Sequence, residues 1–340
     1  MLTAVLVGCG AMSARWLEAI AKIDALRLVG LVDVDPDRAA SRAAESGLGD
    51  IAVGADLAAM LAAKQPDIVF DVVPPQARRE VAIAALDAGC HVLSEKPLAV
   101  SMADARAILA AARRNHRVHA VIQNRRYVAN VRRLKRLLDS EALGGLTSLH
   151  ADFFLAPHFG GFREAMDHVL LLDMAIHTFD VARYLAGRPP RSVYCQEWEP
   201  ANSWYRGGSS AAALFEFSDG IVFDYRGSWC ANGLKTSWES RWRLVCERGT
   251  AVWDGFDEVK AERATAARDG LFEVAEPVAI PLLDPADRVG GHLGVIEDFV
   301  AAILGGGQPE TRGADNVNSL AMALAAVESA ETGRRVAVTN

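Results

Sequence analysis

Three residues of this 340-residue chain have types and spacings that can move a proton and steady an oxygen. Lys96 stands in Ser94-Glu95-Lys96-Pro97, directly after the apolar run His91–Leu93. Asp173 and His177 lie four apart in the apolar stretch Leu170–Leu185, a spacing that puts both on one helix face. Histidine titrates near neutrality and serves as acid or base. A lysine ammonium can donate to the same oxygen and stabilise developing negative charge, while a carboxylate orients a hydroxyl. Together the three suit alcohol oxidation, in which hydride leaves carbon as a base takes the hydroxyl proton. Each residue also has a plainer reading. A lysine after a strand is usually a surface charge, and a histidine on an apolar helix is usually a satisfied core group. Asp180 is a second available partner for His177. An acid–His pair also suits a metal, but no third ligand stands out, and none is expected.

A hydride needs an acceptor, and the N-terminus offers a place for one. Gly8-Cys9-Gly10-Ala11-Met12-Ser13 lies between an apolar run and a helical pattern. Gly8 supplies a tight backbone path, and Gly10 lets the chain approach a pyrophosphate resting on the positive end of the following helix. Ser13 takes the third glycine position of GxGxxG, which serves helix–strand packing and tolerates a small side chain. Asp33 ends the second apolar run, 23 residues past Gly10. A carboxylate there accepts from the adenosine ribose and repels a 2′-phosphate, favouring NAD over NADP. Asp35 is an alternative acid. Arg38 reads either as a 2′-phosphate ligand or as a solvated helix residue.

The elements that must position these groups follow from hydrophobic pattern. Ala4–Val7, Leu28–Val34, Ile68–Val73, His91–Leu93 and Val118–Ile122 read as buried strands. Met12–Ile23, Pro36–Glu45, Leu57–Lys64, Arg78–Ala88 and Met102–Arg114 read as the helices between them. Such alternation predicts an α/β Rossmann domain with a parallel sheet covered on both faces. In open sheets of this kind ligands bind beyond the carboxyl ends of the strands, which is where Lys96 falls. From Leu149 onward the pattern becomes alternating. Ser218-Asp219-Gly220 and Glu247-Arg248-Gly249-Thr250 mark two turns between apolar runs, predicting an antiparallel sheet. Helices are expected at 170–185, 293–304 and 316–331. The expected division is 1–124 for the dinucleotide domain and 125–340 for the substrate domain.

Composition excludes several classes. A net charge of −7 argues against a nucleic-acid footprint, which needs clustered cations. The one basic run, Arg125, Arg126, Arg132, Arg133, Lys135 and Arg136, reads as a solvated helix face. Five widely spaced cysteines without CxxC fit reduced thiols and a cytoplasmic location. No apolar segment reads as a signal peptide or membrane span.

Six of the seven tryptophans fall between residues 198 and 253. Trp229, Trp242 and Trp253 read as core, whereas Trp204 and Tyr205 lie in a glycine-containing loop where aromatic faces could pack on sugar C–H groups. Arg163 and His168, in the loop before the Asp173 helix, are expected to contact substrate, and an arginine there would suit a carboxylate. His292, at a helix start after two glycines, is a further substrate candidate.

These motifs resemble those of the glucose–fructose oxidoreductase/inositol dehydrogenase (Gfo/Idh/MocA) family over nearly the whole chain. The resemblance is carried by Gly8–Ser13, Val32-Asp33-Val34-Asp35-Pro36, Ala88–Leu98 with its Glu-Lys-Pro, Arg125-Arg126-Tyr127, and Leu172-Asp173-Met174-Ala175-Ile176-His177-Thr178-Phe179-Asp180. It implies a Rossmann domain followed by an α/β domain with a large, open, mainly antiparallel sheet, through which members often pair into dimers or tetramers. It implies Lys96, Asp173 and His177 as the catalytic set and a sugar, polyol or sugar derivative as substrate. With the loop reading, it gives Gly8, Gly10, Ala11, Met12, Asp33, Arg38, Pro74, Glu95, Lys96 and Arg126 as the cofactor set. The family often has Thr-Pro and then a histidine after the fourth strand. Here Val73-Pro74-Pro75 is followed by Arg78, so that histidine's cofactor contact is not carried over. Two rival functions remain: an epimerase or lyase that retains NAD, which shares every motif, and a sensor that binds dinucleotide and sugar without catalysis, against which the intact Lys96, Asp173 and His177 argue.

Overall fold

The computed structural model describes residues 1–340 and divides into two compact units. Met1–Tyr127 and Arg288–Leu320 form the first; Val128–Asp287 and Ala321–Asn340 form the second. No helix is long and apolar enough to cross a membrane.

In the first unit, six strands alternate with five helices. The strands are β1 (Leu2–Val7), β2 (Leu26–Val32), β3 (Ala52–Gly54), β4 (Ile68–Asp71), β5 (His91–Ser94) and β6 (His119–Val121). The helices are α1 (Ser13–Ile20), α2 (Pro36–Glu45), α3 (Leu57–Lys64), α4 (Pro75–Asp87) and α5 (Met102–Arg114). All neighbouring strands are parallel, in the order β3-β2-β1-β4-β5-β6. The order reverses between β1 and β4, so a crevice opens beyond their carboxyl ends. The central strands are buried on both faces, β4 along its whole length, which is why they read as continuous apolar runs rather than alternating ones. β3 escaped the sequence reading because it is a three-residue edge strand.

In the second unit, α6 (Ala129–Asp139) and α7 (Ile176–Ala186) accompany β7 (Leu146–Phe154), β8 (Pro190–Trp198), β9 (Ser210–Phe217), β10 (Val222–Ser228), β11 (Arg241–Cys246), β12 (Gly249–Trp253), β13 (Val259–Asp269) and β14 (Phe272–Pro277). With β15 (Val336–Ala337) these strands form one nine-stranded sheet, β14-β13-β12-β11-β7-β10-β9-β8-β15. Both expected turns are present, joining β9 to β10 and β11 to β12 in antiparallel pairs. Only β7 and β10 pair in parallel. Phe179 of α7 anchors the core, with its ring 4.7 Å from that of Phe215 and 5.2 Å from that of Tyr225. Trp229, Trp242 and Trp253 are buried core residues.

Two expectations need correction. Residues 125–340 are not one domain: α8 (His292–Leu304) and the start of α9 (Gly313–Thr332) return to the first unit. Val295, Ile296, Phe299 and Val300 of α8 join the cluster around Trp16 and Phe70. Burying such side chains is worth roughly 1.5–3 kcal/mol each, enough to draw the segment back. Nor is the basic run a solvated face. Arg126 is buried and paired with Asp315 at 3.0 Å, and the other five are half-buried. Arg132 donates to the Tyr184 hydroxyl, Arg133 to the Pro281 carbonyl and Arg136 to Asp287.

Candidate active site

The glycine loop leaves β1 at Gly8, whose φ of +94° is left-handed. A Cβ there would lie 2.7 Å from the carbonyl carbon and oxygen of Val72, so only glycine fits between β1 and the segment after β4. At Gly10 an added Cβ would meet nothing within 4 Å. Ser13, fully buried, bonds back to the Gly10 carbonyl at 2.6 Å, which lets a serine fill the third glycine position. Asp33 accepts from the Cys9 amide at 2.7 Å and from the Asp35 amide at 3.0 Å, tying the end of β2 to the loop. Arg38 lies 3.5 Å from Asp33 and 3.4 Å from Asp35, half exposed. Arg42 also reaches the Gly10 carbonyl, at 3.4 Å. These residues fit a dinucleotide: open space above Gly10, the amino end of α1 beyond it, and a carboxylate at the end of β2.

Lys96 follows β5 and is half-buried. Its amide donates to Glu95 at 3.0 Å. Glu95 also accepts from the Trp16 indole at 2.9 Å, and the His292 ring lies 3.8 Å away. Burial pushes the Glu95 carboxyl up, but His292, the Lys96 charge and the Trp16 hydrogen bond outweigh this and hold it below its ordinary value. His292 begins α8, sits edge-on to Trp16 with ring centroids 6.2 Å apart, and contacts Asn124 at 3.3 Å. The return of the chain after residue 288 therefore brings His292 to the Glu95-Lys96 segment. Pro74 lies just ahead of α4, in the segment that follows the neighbouring strand β4.

In the second unit the helix expected over 170–185 is two pieces. Leu170–Ala175 is a π-helical turn carrying Asp173, and α7 begins at Ile176 with His177 in its first turn. π-Turns widen a helix at the expense of regular packing and recur at functional sites. His177 is 9% exposed. Asp173 is held by Arg163 at 2.7 Å, and the Arg163 guanidinium lies over the rings of Phe159 and Phe162, 5.1 and 4.8 Å from their centroids. Arg163 thus contacts the proposed orienting carboxylate, a pairing that ten residues of separation do not announce.

The other expected substrate residues are more constrained. His168 contacts Glu197 at 2.5 Å and Glu331 at 3.3 Å. The Glu197 hydrogen bond raises its pKa against the opposing effect of burial. Trp204 stacks on His158, with centroids 3.6 Å apart. Tyr205 is a core residue whose hydroxyl is taken by the Pro157 carbonyl at 2.5 Å, so it does not offer the loop surface expected of it.

Residues 2–123 match the oxidoreductase family with an NAD-binding Rossmann fold, GFO/IDH/MocA, and residues 131–252 match the C-terminal domain of the same family. The chain belongs to the Gfo/Idh/MocA family. It is an NAD(P)-dependent oxidoreductase, and NAD is the family's cofactor. Among its relatives, a D-apiose dehydrogenase of Paraburkholderia graminis is 28% identical, over 97% of this chain and 88% of that one. An inositol 2-dehydrogenase of Streptomyces avermitilis is also 28% identical, over 99% and 94%. An oxidoreductase from Agrobacterium radiobacter, solved with NAD+, L-tartaric acid and magnesium, shares the fold with a TM-score of 0.86 at 22% identity, covering 99% of this chain and 98% of that one.

Within this Gfo/Idh/MocA frame, sequence reasoning missed Trp16, Asn124 and Arg42 as neighbours of the cofactor loops. None carried a spacing signal, because each reaches its partner across a distant part of the chain. Arg78 stands out in the sequence only as a departure from the family's histidine.

Proposed function

We propose that this chain catalyses reversible, NAD-linked oxidation of a hydroxyl on a sugar, polyol or sugar derivative. Lys96 would hold the substrate oxygen through its Nζ protons and stabilise negative charge as it develops. Asp173 would accept from a neighbouring hydroxyl and set the ring's orientation. His177 would take the hydroxyl proton on an imidazole nitrogen and return it in reduction. The bound nicotinamide supplies the hydride acceptor or donor. Gly8, Gly10, Ala11 and Met12 would line the pyrophosphate, Asp33 the adenosine ribose, with Arg38 beside it, and Pro74, Glu95 and Arg126 would belong to the same cofactor set.

The observation that carries the reading is Asp173, on a π-turn and clamped by Arg163, one turn ahead of His177 in α7. A core histidine needs no such carboxylate clamp one turn away. The relatives' names, D-apiose dehydrogenase and inositol 2-dehydrogenase, support a polyhydroxylated substrate. We also propose a cytoplasmic homodimer or homotetramer. In support, Tyr194, Leu214 and Trp198 expose apolar surface on β8 and β9, with Tyr194 and Leu214 directly paired. Light scattering would give the mass.

The test is absorbance of the reduced cofactor with NAD, and separately NADP, against sugars, polyols and sugar acids. Reduction with one stereochemical series is expected. Lys96→Met and His177→Asn should each lower kcat about 10²–10⁴-fold in folded protein. Unchanged turnover in either variant would sink the assignment. Tight NADH binding without net reduction would instead point to the retained-cofactor enzyme or the sensor.

A further inference from the structure

Arg78 occupies a position that helix stability does not explain. It lies in the first turn of α4, where the backbone presents its positive end and no acidic residue of the turn compensates. A cation there is unfavourable. Its side chain is 1% exposed, and charged groups are rarely so deep unless paired. The partner is Asp71, the last residue of β4, itself fully buried, 3.6 Å from Nε. Asp71 in turn accepts from the Val73 amide at 3.3 Å.

The two terminal nitrogens of Arg78 go elsewhere. Nη2 donates to the carbonyl of Val73 at 2.6 Å, and Nη1 donates to the carbonyl of Pro97. Val73 immediately precedes Pro74, and Pro97 immediately follows Lys96. One planar guanidinium therefore spans the two segments that leave adjacent parallel strands, β4 and β5. Its fixed fork sets the spacing between them, and Asp71 supplies the charge that keeps it buried.

We propose that Arg78 is a positioning residue that fixes the backbone of the segments leaving β4 and β5 and thereby sets the placement of Lys96 and of the proposed cofactor residues Pro74 and Glu95. This rests on the reading of Lys96 as a catalytic residue. Lysine cannot replace arginine in the role, because a single ammonium on a flexible stem cannot hold two carbonyls in a fixed fork. Nor does glutamine, which has one amide nitrogen and would leave Asp71 buried without its counter-charge. Arg78 also adds positive charge near His119, the neutral ring bonded to Ser94 at 3.1 Å, so the cluster tolerates no second cation.

The test uses the full chain with two variants, Arg78→Lys and the doubly neutral Arg78→Gln/Asp71→Asn, which removes both buried charges together. Competitive acetylation across pH, followed peptide by peptide in a mass spectrometer, reports the reactivity of Lys96 beside the other five lysines. NADH fluorescence gives cofactor affinity, and thermal melting reports the fold. The expected result is a changed acetylation profile at Lys96 alone, with an NADH Kd raised at least fivefold, in a variant that still melts cooperatively. Folded variants with an unchanged Lys96 profile and unchanged NADH affinity would overturn the proposal. So would equal changes at all six lysines, which would mark a general loosening of the fold. Neither readout needs turnover. If Lys96→Met left turnover unchanged while Arg78→Lys altered Lys96, the catalytic reading would fail and the bracing would stand.

Discussion

Asp33 has two duties at the residue scale, and they can be separated. Its carboxylate accepts from the Cys9 amide within the glycine loop and supplies a negative charge at the end of β2. Asparagine keeps an acceptor oxygen of the same reach but loses the charge. Asp33→Asn should therefore retain most NAD affinity while the ratio of kcat/KM for NADP to that for NAD rises about tenfold, roughly 1.4 kcal/mol. Asp33→Ala also strands the buried Cys9 amide, at a cost of about 1–3 kcal/mol, and should weaken both cofactors. Identical behaviour of the two variants would show that the carboxylate does not tie down the loop. Arg163 illustrates the same scale in the second unit. Two phenyl rings and one carboxylate fix a side chain that would otherwise lose much rotamer freedom on binding.

The glycine loop is informative as an element, because its two glycines serve different purposes. Gly8 is left-handed and abuts Val72, while Gly10 is neither. Gly8→Ala costs about 1–2 kcal/mol from handedness alone, and the overlap with rigid backbone adds to it, so the variant should melt several degrees lower or fail to fold. Gly10→Ala should melt like the parent yet bind NADH far more weakly, since its methyl would enter the open space proposed to hold the pyrophosphate. Paired melting and fluorescence titrations check both. A Gly10→Ala protein with full affinity would remove the loop from the cofactor site. The π-turn at Leu170–Ala175 is the matching element in the second unit. Its existence was not legible, because an apolar run ahead of α7 has the same periodicity whether a turn closes with four residues or five.

For the whole molecule, the buried charges of the first unit govern its response to acid. His119 is buried, and desolvation, aided by the charge of Arg78, pushes its pKa down from 6.5 to about 3. The unfolded chain takes up that proton below about pH 6.5 and the folded one does not. The stabilisation is thus fully present above 6.5 and lost as pH falls toward 3, on the order of a few kcal/mol over the whole range. Asp71 works in the opposite sense. Burial raises its carboxyl from 3.8 to about 6, so the folded state binds that proton first and gains relative stability as pH falls from 6 to 4. His119→Gln removes only the first effect. Urea unfolding from pH 7 to 4.5 should show a smaller loss in the variant than in the parent, and parallel curves would contradict the assignment of His119.

What the sequence determined is what neighbours along the chain decide. Strand–helix alternation, the Gly8–Ser13 turn, the acid ending β2 and the Asp173–His177 spacing are all set by local sterics and period, so the Rossmann half could be read directly, whereas the catalytic set was proposed from the motifs' resemblance. The turn between β9 and β10 was equally legible, and in it Asp219 and Gly220 both take the left-handed conformation. Tertiary structure alone decided what distant residues do to one another. It drew α8 back to the Trp16 cluster, paired β7 with β10 in parallel, buried Arg126 against Asp315, and placed the Arg78 fork between two strand ends. Each of these depends on contacts whose free energy is gained only once the sheet has formed, and no local pattern encodes which partner will be waiting there.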